Sequence, residues 1–149
     1  MKNSDPPPAK AEHSEAVLWT DGAARGNPGP AGIGVMLKTR AGEVIATDAG
    51  FIGHTTNNVA EYRALLRGFE LALEHGVEVL EVRADSELLI KQLLGKYRVK
   101  AEGLRPLFEQ ARQLMGRFQS VKLQHVRREH NGEADRLANQ GIDAANPRS

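Results

Sequence analysis

The chain has 149 residues, 40% hydrophobic and 26% charged, with a formal net charge of +1. It has no cysteine, which excludes disulfides, thiolate nucleophiles, thiolate zinc sites and iron–sulfur clusters. Its longest uncharged stretches, Gly26–Leu37 and Ala49–Ala60, are 12 residues long, short of the roughly 20 apolar residues that a membrane span needs.

In chain order, residues 1–15 are polar with three consecutive prolines and are expected to form a disordered tail. Order is expected from Ala16 to about residue 145, as one domain, with a short tail at 146–149. Ala16–Thr20 is a short apolar run of strand type. The segment Asp21–Pro30 is dense in turn residues. Ile33–Lys38 and Glu43–Ile52 read as two more strands, which completes an antiparallel meander. Helical spacing begins near Asn57, where Leu65, Phe69 and Leu73 recur every fourth residue and Gly76 is a stop. Glu78–Ala84 is a fourth strand, with Leu80, Val82 and Ala84 on one face and Glu81 and Arg83 on the other. Ser86 can cap a short helix over Glu87–Leu94. Leu104, Leu107, Phe108, Ala111, Leu114, Met115 and Phe118 follow a 3.6-residue period, with Arg105, Arg112 and Arg117 off that stripe. Val121–Val126 is a fifth strand, and Asn131 or Gly132 opens a last helix through Ala138. The order is βββαβααβα, an α/β domain with a mixed sheet flanked by helices. Trp19 is expected in the core, because its strand should be central.

The near-neutral sum hides a strong asymmetry. Residues 1–90 hold 8 Lys/Arg and 13 Asp/Glu, net −5. Residues 91–128 hold 10 and 2, net +8, and residues 129–149 hold 2 and 4, net −2. A concentrated basic block next to acidic flanks points to a phosphate-binding surface. With no signal-peptide pattern at the N-terminus, a soluble cytoplasmic protein is expected.

Four carboxylates fall at element ends: Asp21 ends the first strand, Glu61 lies in the first long helix, Asp85 ends the fourth strand, and Asp135 lies in the last helix. Strand ends and helix starts on one side of a sheet are where α/β ligand sites form. If the four converge they repel, so convergence implies raised pKa values or bound cations. Oxygen donors without cysteine suit Mg²⁺ or Mn²⁺.

The local words are Thr20-Asp21-Gly22, Gly26-Asn27-Pro28-Gly29, Thr55-Thr56-Asn57-Asn58-Val59-Ala60-Glu61, Asp85-Ser86 and Glu129-His130-Asn131-Gly132-Glu133-Ala134-Asp135. As an ordered set over residues 16–142 they resemble the type 1 ribonuclease H family. The resemblance implies a ribonuclease H-like fold with a five-stranded mixed sheet. It implies an endonuclease that hydrolyses the RNA strand of RNA–DNA hybrids with two Mg²⁺ ions, Mn²⁺ also serving. Asp21, Glu61, Asp85 and Asp135 would be the metal ligands, with Asp21 between the ions. Asp135 would serve the water-activating side, and Glu61 and Asp85 the leaving-group side. His130 would assist proton transfer or product release. Asn27, Asn57 and Asn58 would reach the minor groove, Thr56 with Asn58 would grip a DNA phosphate, and Gly22 would lie near RNA 2′-hydroxyls, with Ser86 also on the substrate side. The chain lacks the basic insertion of the best-known bacterial members, so grip would fall on Lys96, Arg98, Lys100 and Arg105. Glu87 stands where those members have a glutamine. The expected partner is the hybrid alone, with no membrane, and the expected state is a monomer. The other readings are a different nuclease of the same fold and a hybrid-binding module with a dead site.

Overall fold

The computed structural model describes residues 14–145, so nearly all of the expected N-terminal tail and the whole of 146–149 lie outside the described residues. Five strands and four helices follow in order: β1 (Glu15–Ala24), β2 (Gly29–Lys38), β3 (Val44–Thr55), α1 (Asn57–Glu74), β4 (Val79–Ala84), α2 (Glu87–Leu93), α3 (Arg105–Met115), β5 (Ser120–His125) and α4 (Gly132–Ala145). The expected order βββαβααβα holds. Element ends differ by a few residues, chiefly because the strands of the meander run on into their turns and α4 continues past Ala138. A single 3-10 turn at Arg128–His130, which periodicity does not signal, precedes α4.

The sheet order is β3-β2-β1-β4-β5. β1 pairs antiparallel with β2, and β2 with β3. β4 pairs parallel with both β1 and β5, so the sheet is mixed. β1 starts at Glu15, one residue inside the expected tail, and the Ser14 carbonyl accepts from the Glu78 and Val79 amides at 2.8 Å.

Helices cover both faces. On one face α1 packs on β1 and β2, and α3 packs against α1. Thr56 caps α1 by accepting from the Val59 amide at 3.2 Å. Gly76, at φ +74°, turns the chain out of the helix where a side chain would be strained. Tyr62, Leu65, Phe69, Leu18, Leu80 and Val82 form the centre of this core, and Phe69 meets Phe118 at 5.7 Å between ring centroids. The arginines Arg105, Arg112 and Arg117 are exposed, as the spacing predicts.

On the other face α4 packs on β1, β2 and β3. It comes close because β2 carries Gly32 and Gly34 there. A Cβ on either would strike the carbonyl oxygens of Ala138 or Ala134. α4 does not extend over β4 and β5, and this corrects the expectation for Trp19. That ring is only half-buried, with the Arg83 guanidinium 5.0 Å from its centroid. On the same side Glu81 is buried, satisfied by Arg83 at 2.7 Å and Arg40 at 3.4 Å.

Candidate active site

The end of one strand pairing creates the site. β1 and β4 run parallel with Thr20 opposite Ala84 as their last pair. The next residue along the chain from each is an aspartate: Asp21, still within β1, and Asp85, just past the end of β4. Asp21 does not end its strand, contrary to expectation. β1 continues beside β2 until Ala24 faces Ala31. Asp21 is therefore backed on one side by β2 and open on the other, where β4 has turned away.

Helix α1 brings Glu61 to the same point. The Gly22 amide donates to Glu61 Oε1 at 3.1 Å. A carboxylate oxygen from each of Asp21, Glu61 and Asp85 lies within 4.8 Å of the others. Asp135, in the first turn of α4, sits beside Asp21 and completes the four. They line a cleft of about 300 Å³ together with Gly22, Asn57, Ser86 and Arg128.

The electrostatics are those of crowded acids. Burial, then the neighbouring Glu61 and Asp85 charges, push the Asp21 carboxyl from 3.8 up to about 9. Burial and Asp85 push Glu61 from 4.5 up to about 8, against an opposing hydrogen bond from Gly22 and the Arg128 charge. Among the described residues none of the four carboxylates forms an ion pair. Crowded oxygen-only donors without an ion-pair partner, two of them buried, fit a small hard divalent cation such as Mg²⁺ or Mn²⁺. The four residues that would hold it are Asp21, Glu61, Asp85 and Asp135.

The remaining sequence-selected residues divide by position. Asn57 and Ser86 line the cleft. Ser86 also caps α2 by accepting from the Leu89 amide at 3.2 Å. Asn27 is exposed in the turn between β1 and β2, and its Oδ1 accepts from the Asn57 amide at 3.0 Å. Thr56 and Asn58 are exposed at the start of α1. Lys96, Arg98, Lys100 and Arg105 are exposed on the α2–α3 connection and the first turn of α3, outside the cleft. Arg98 and Arg105 share a groove there with Tyr97 and Phe108. Glu87 is held by Lys91 at 2.8 Å, which offsets its charge. His130 is exposed on the 3-10 turn and lines a separate cavity of about 380 Å³ with Trp19, not the acidic cleft.

Two residues escape the motif reading. Arg128, on the 3-10 turn, is the one cation lining the cleft among the described residues. It is the last residue of the basic block, which is the only signal the sequence offers for it. Asn131 is 1% exposed. Its Nδ2 donates to the Thr20 carbonyl at 2.9 Å and to Asp85 Oδ2 at 3.3 Å. Its position, four before Asp135, reads from sequence only as a helix start.

A mixed sheet in this order, with carboxylates gathered where β1 and β4 part, defines a ribonuclease H-like α/β fold. The reverse transcriptase-like family matches residues 19–141. A ribonuclease H of Bordetella bronchiseptica is 36% identical over 90% of this chain and 93% of its own length. The chain belongs to the ribonuclease H family. A bifunctional protein of Mycobacterium tuberculosis is 42% identical over 88% of the chain, which spans only 36% of that longer relative. Among solved structures, LC11-RNase H1 in complex with an RNA/DNA hybrid aligns with TM-score 0.84 and 42% identity, over 87% of this chain and 98% of that one.

Proposed function

We propose that the protein is an endoribonuclease that hydrolyses the RNA strand of RNA–DNA hybrids with two divalent cations, Mg²⁺ or Mn²⁺. The products carry 5′-phosphate and 3′-hydroxyl ends, and the cellular tasks are removal of RNA primers and R-loops by a cytoplasmic monomer. The observation that carries this reading is the convergence of Asp21, Glu61 and Asp85 within 4.8 Å, beside Asp135. A module that only binds hybrid has no use for four repelling carboxylates without counter-ions. The similar LC11-RNase H1, crystallised with a hybrid, supports the substrate.

Bound in the cleft, the cations supply an acidified water and charge neutralisation for the scissile phosphate and the departing 3′ oxygen. The chain's own residues hold that arrangement. The Gly22 amide orients Glu61, and the Asn131 amide orients Asp85. Arg128 adds a positive charge at the mouth, where a phosphate arrives. Asn27, Thr56, Asn57 and Asn58 stand together at the β1–β2 turn and the α1 start, where side-chain donors and acceptors can meet the minor groove. Lys96, Arg98, Lys100 and Arg105 track phosphates further along the duplex.

Cleavage of a labelled RNA–DNA hybrid with Mg²⁺, beside DNA and RNA duplex controls, tests the reading. Internal cuts confined to the RNA strand of the hybrid are expected. Equal cutting of the DNA duplex would point to another nuclease of this fold, and binding without cutting to a dead site. Replacing Lys100 or Arg105 by alanine is expected to weaken hybrid binding and to lower the slope of log affinity against log salt by about one for each phosphate that is no longer neutralised. An unchanged slope would mean that the basic block faces elsewhere.

A further inference from the structure

Tyr62 directly follows Glu61 in α1 and is 1% exposed. Its phenol donates a 2.6 Å hydrogen bond to Gln92 Oε1 on α2. Gln92 is buried as well. Among the described residues this is the only hydrogen bond that joins α1 to α2. Both helices start at the acidic cleft. α1 carries Glu61 near its beginning, and α2 begins two residues after Asp85. Gln92 lies six residues beyond Ser86, about 9 Å along the helix. The bond thus closes a ring that runs from the cleft along α1, across to α2 and back to the cleft.

Ionised Glu61 and Asp85 repel across this short distance. Unopposed, that force would spread the start of α1 from the junction of β4 and α2. Leu89, Ile90 and Leu93 bury the inner face of α2, but apolar burial is non-directional and resists sliding weakly. A hydrogen bond depends on both distance and angle. It is also uncharged here, so it ties the helices without adding to the field in the cleft.

We infer that Tyr62 and Gln92 are positioning residues that fix the separation of Glu61 and Asp85 for divalent-cation binding. The inference rests on the reading of the cleft as a cation site. Neither residue touches the cleft itself.

The test is titration calorimetry of the whole chain with Mn²⁺, without substrate, alongside thermal melting without cation. Tyr62→Phe is expected to weaken Mn²⁺ binding about tenfold, the low end of the loss on removing a group bonded directly to a metal ligand. It leaves the Gln92 oxygen buried without a donor, so its melting temperature falls too. Tyr62→Phe combined with Gln92→Leu replaces both partners by apolar groups, which restores most of the lost stability. Mn²⁺ affinity in this double variant is expected to stay about tenfold weak. A merely structural bond would let affinity recover together with the melting temperature. Wild-type affinity in either variant overturns the inference. Absence of Mn²⁺ binding by the wild-type chain overturns both the inference and the cation-site reading beneath it.

Discussion

Asp21→Asn is expected to abolish hybrid cleavage while making the cation-free protein more stable. Asp21 is the carboxylate that faces the other three, so its loss removes a central oxygen donor and the activity falls by at least about a thousandfold, as when a group acting in a catalytic unit is deleted. The stability effect has the opposite sign. The folded chain holds the Asp21 proton up to about pH 9, whereas the ordinary carboxyl loses it near 3.8. Glu61 behaves alike, with about 8 against 4.5. Between those limits the folded state binds more protons than the unfolded one, so stability falls as pH rises. The contribution is complete below about pH 4 and is lost as pH climbs through 8 and 9, the reverse of a carboxylate in a salt bridge. Asparagine has no proton to lose. At pH 7.5 without divalent cation the variant should be about 1–3 kcal/mol more stable than wild type, a gap that closes toward pH 4. Adding Mg²⁺ should narrow it from the other side, by stabilising wild type alone. Urea unfolding at three pH values, with and without Mg²⁺, measures this. A variant less stable than wild type at pH 7.5 would show that the four acids do not repel one another in the folded chain. Retained cleavage would remove Asp21 from the centre of the site.

Gly22→Ala is expected to cost both the stability of the fold and cleavage. A Cβ at Gly22 would overlap the carbonyl carbon and oxygen of Ala60 and the amide nitrogen of Glu61. These are backbone atoms in the first turns of α1, so no side chain can swing aside. Relief requires α1 to move off β1, and that movement carries Glu61 away from Asp21 and breaks the Gly22–Glu61 hydrogen bond. We expect a loss of about 3 kcal/mol or more, at the upper end for overpacking, and loss of cleavage in whatever fraction still folds. Gly103→Ala is the control. Nothing lies within 4 Å of its added Cβ, so its effect should stay within about 0.5 kcal/mol. Near-wild-type unfolding of Gly22→Ala would show that α1 tolerates a wider approach to β1 than the packing allows.

These two positions also show what the sequence discloses and what it does not. The element order is legible because apolar residues repeat at 2.0 along the strands and at about 3.6 along α1 and α3. The carboxylates are legible because each sits in a distinctive local word, and the ordered set of words is far more specific than any one. The place of Asp21 inside β1 is not legible. Strand length depends on partners, and β2 supports β1 for four residues after β4 has left it. The expectation for Trp19 fails for a related reason: its strand is central, but which half of the sheet α4 covers depends on the glycines of β2. Arg128 and Asn131 act through long-range geometry, with Asn131 reaching back 111 residues to the Thr20 carbonyl. No periodicity carries that information. The 3-10 turn that aims both of them is three residues long, too short to leave a pattern.

Asn131 also bears on when the molecule becomes able to act. Its side chain meets the Thr20 carbonyl and Asp85, and its own carbonyl receives the Asp135 amide at 3.0 Å. Strands β1 to β5 and helices α1 to α3 all precede it in the chain. During synthesis from the N-terminus, the sheet and the helices on one face can form while the site still lacks its fourth carboxylate and the amide that holds Asp85. Helix α4, which follows every other described element in the chain, is the one that completes the site. A chain ending before Asn131 would carry three of the four carboxylates and no amide on Asp85.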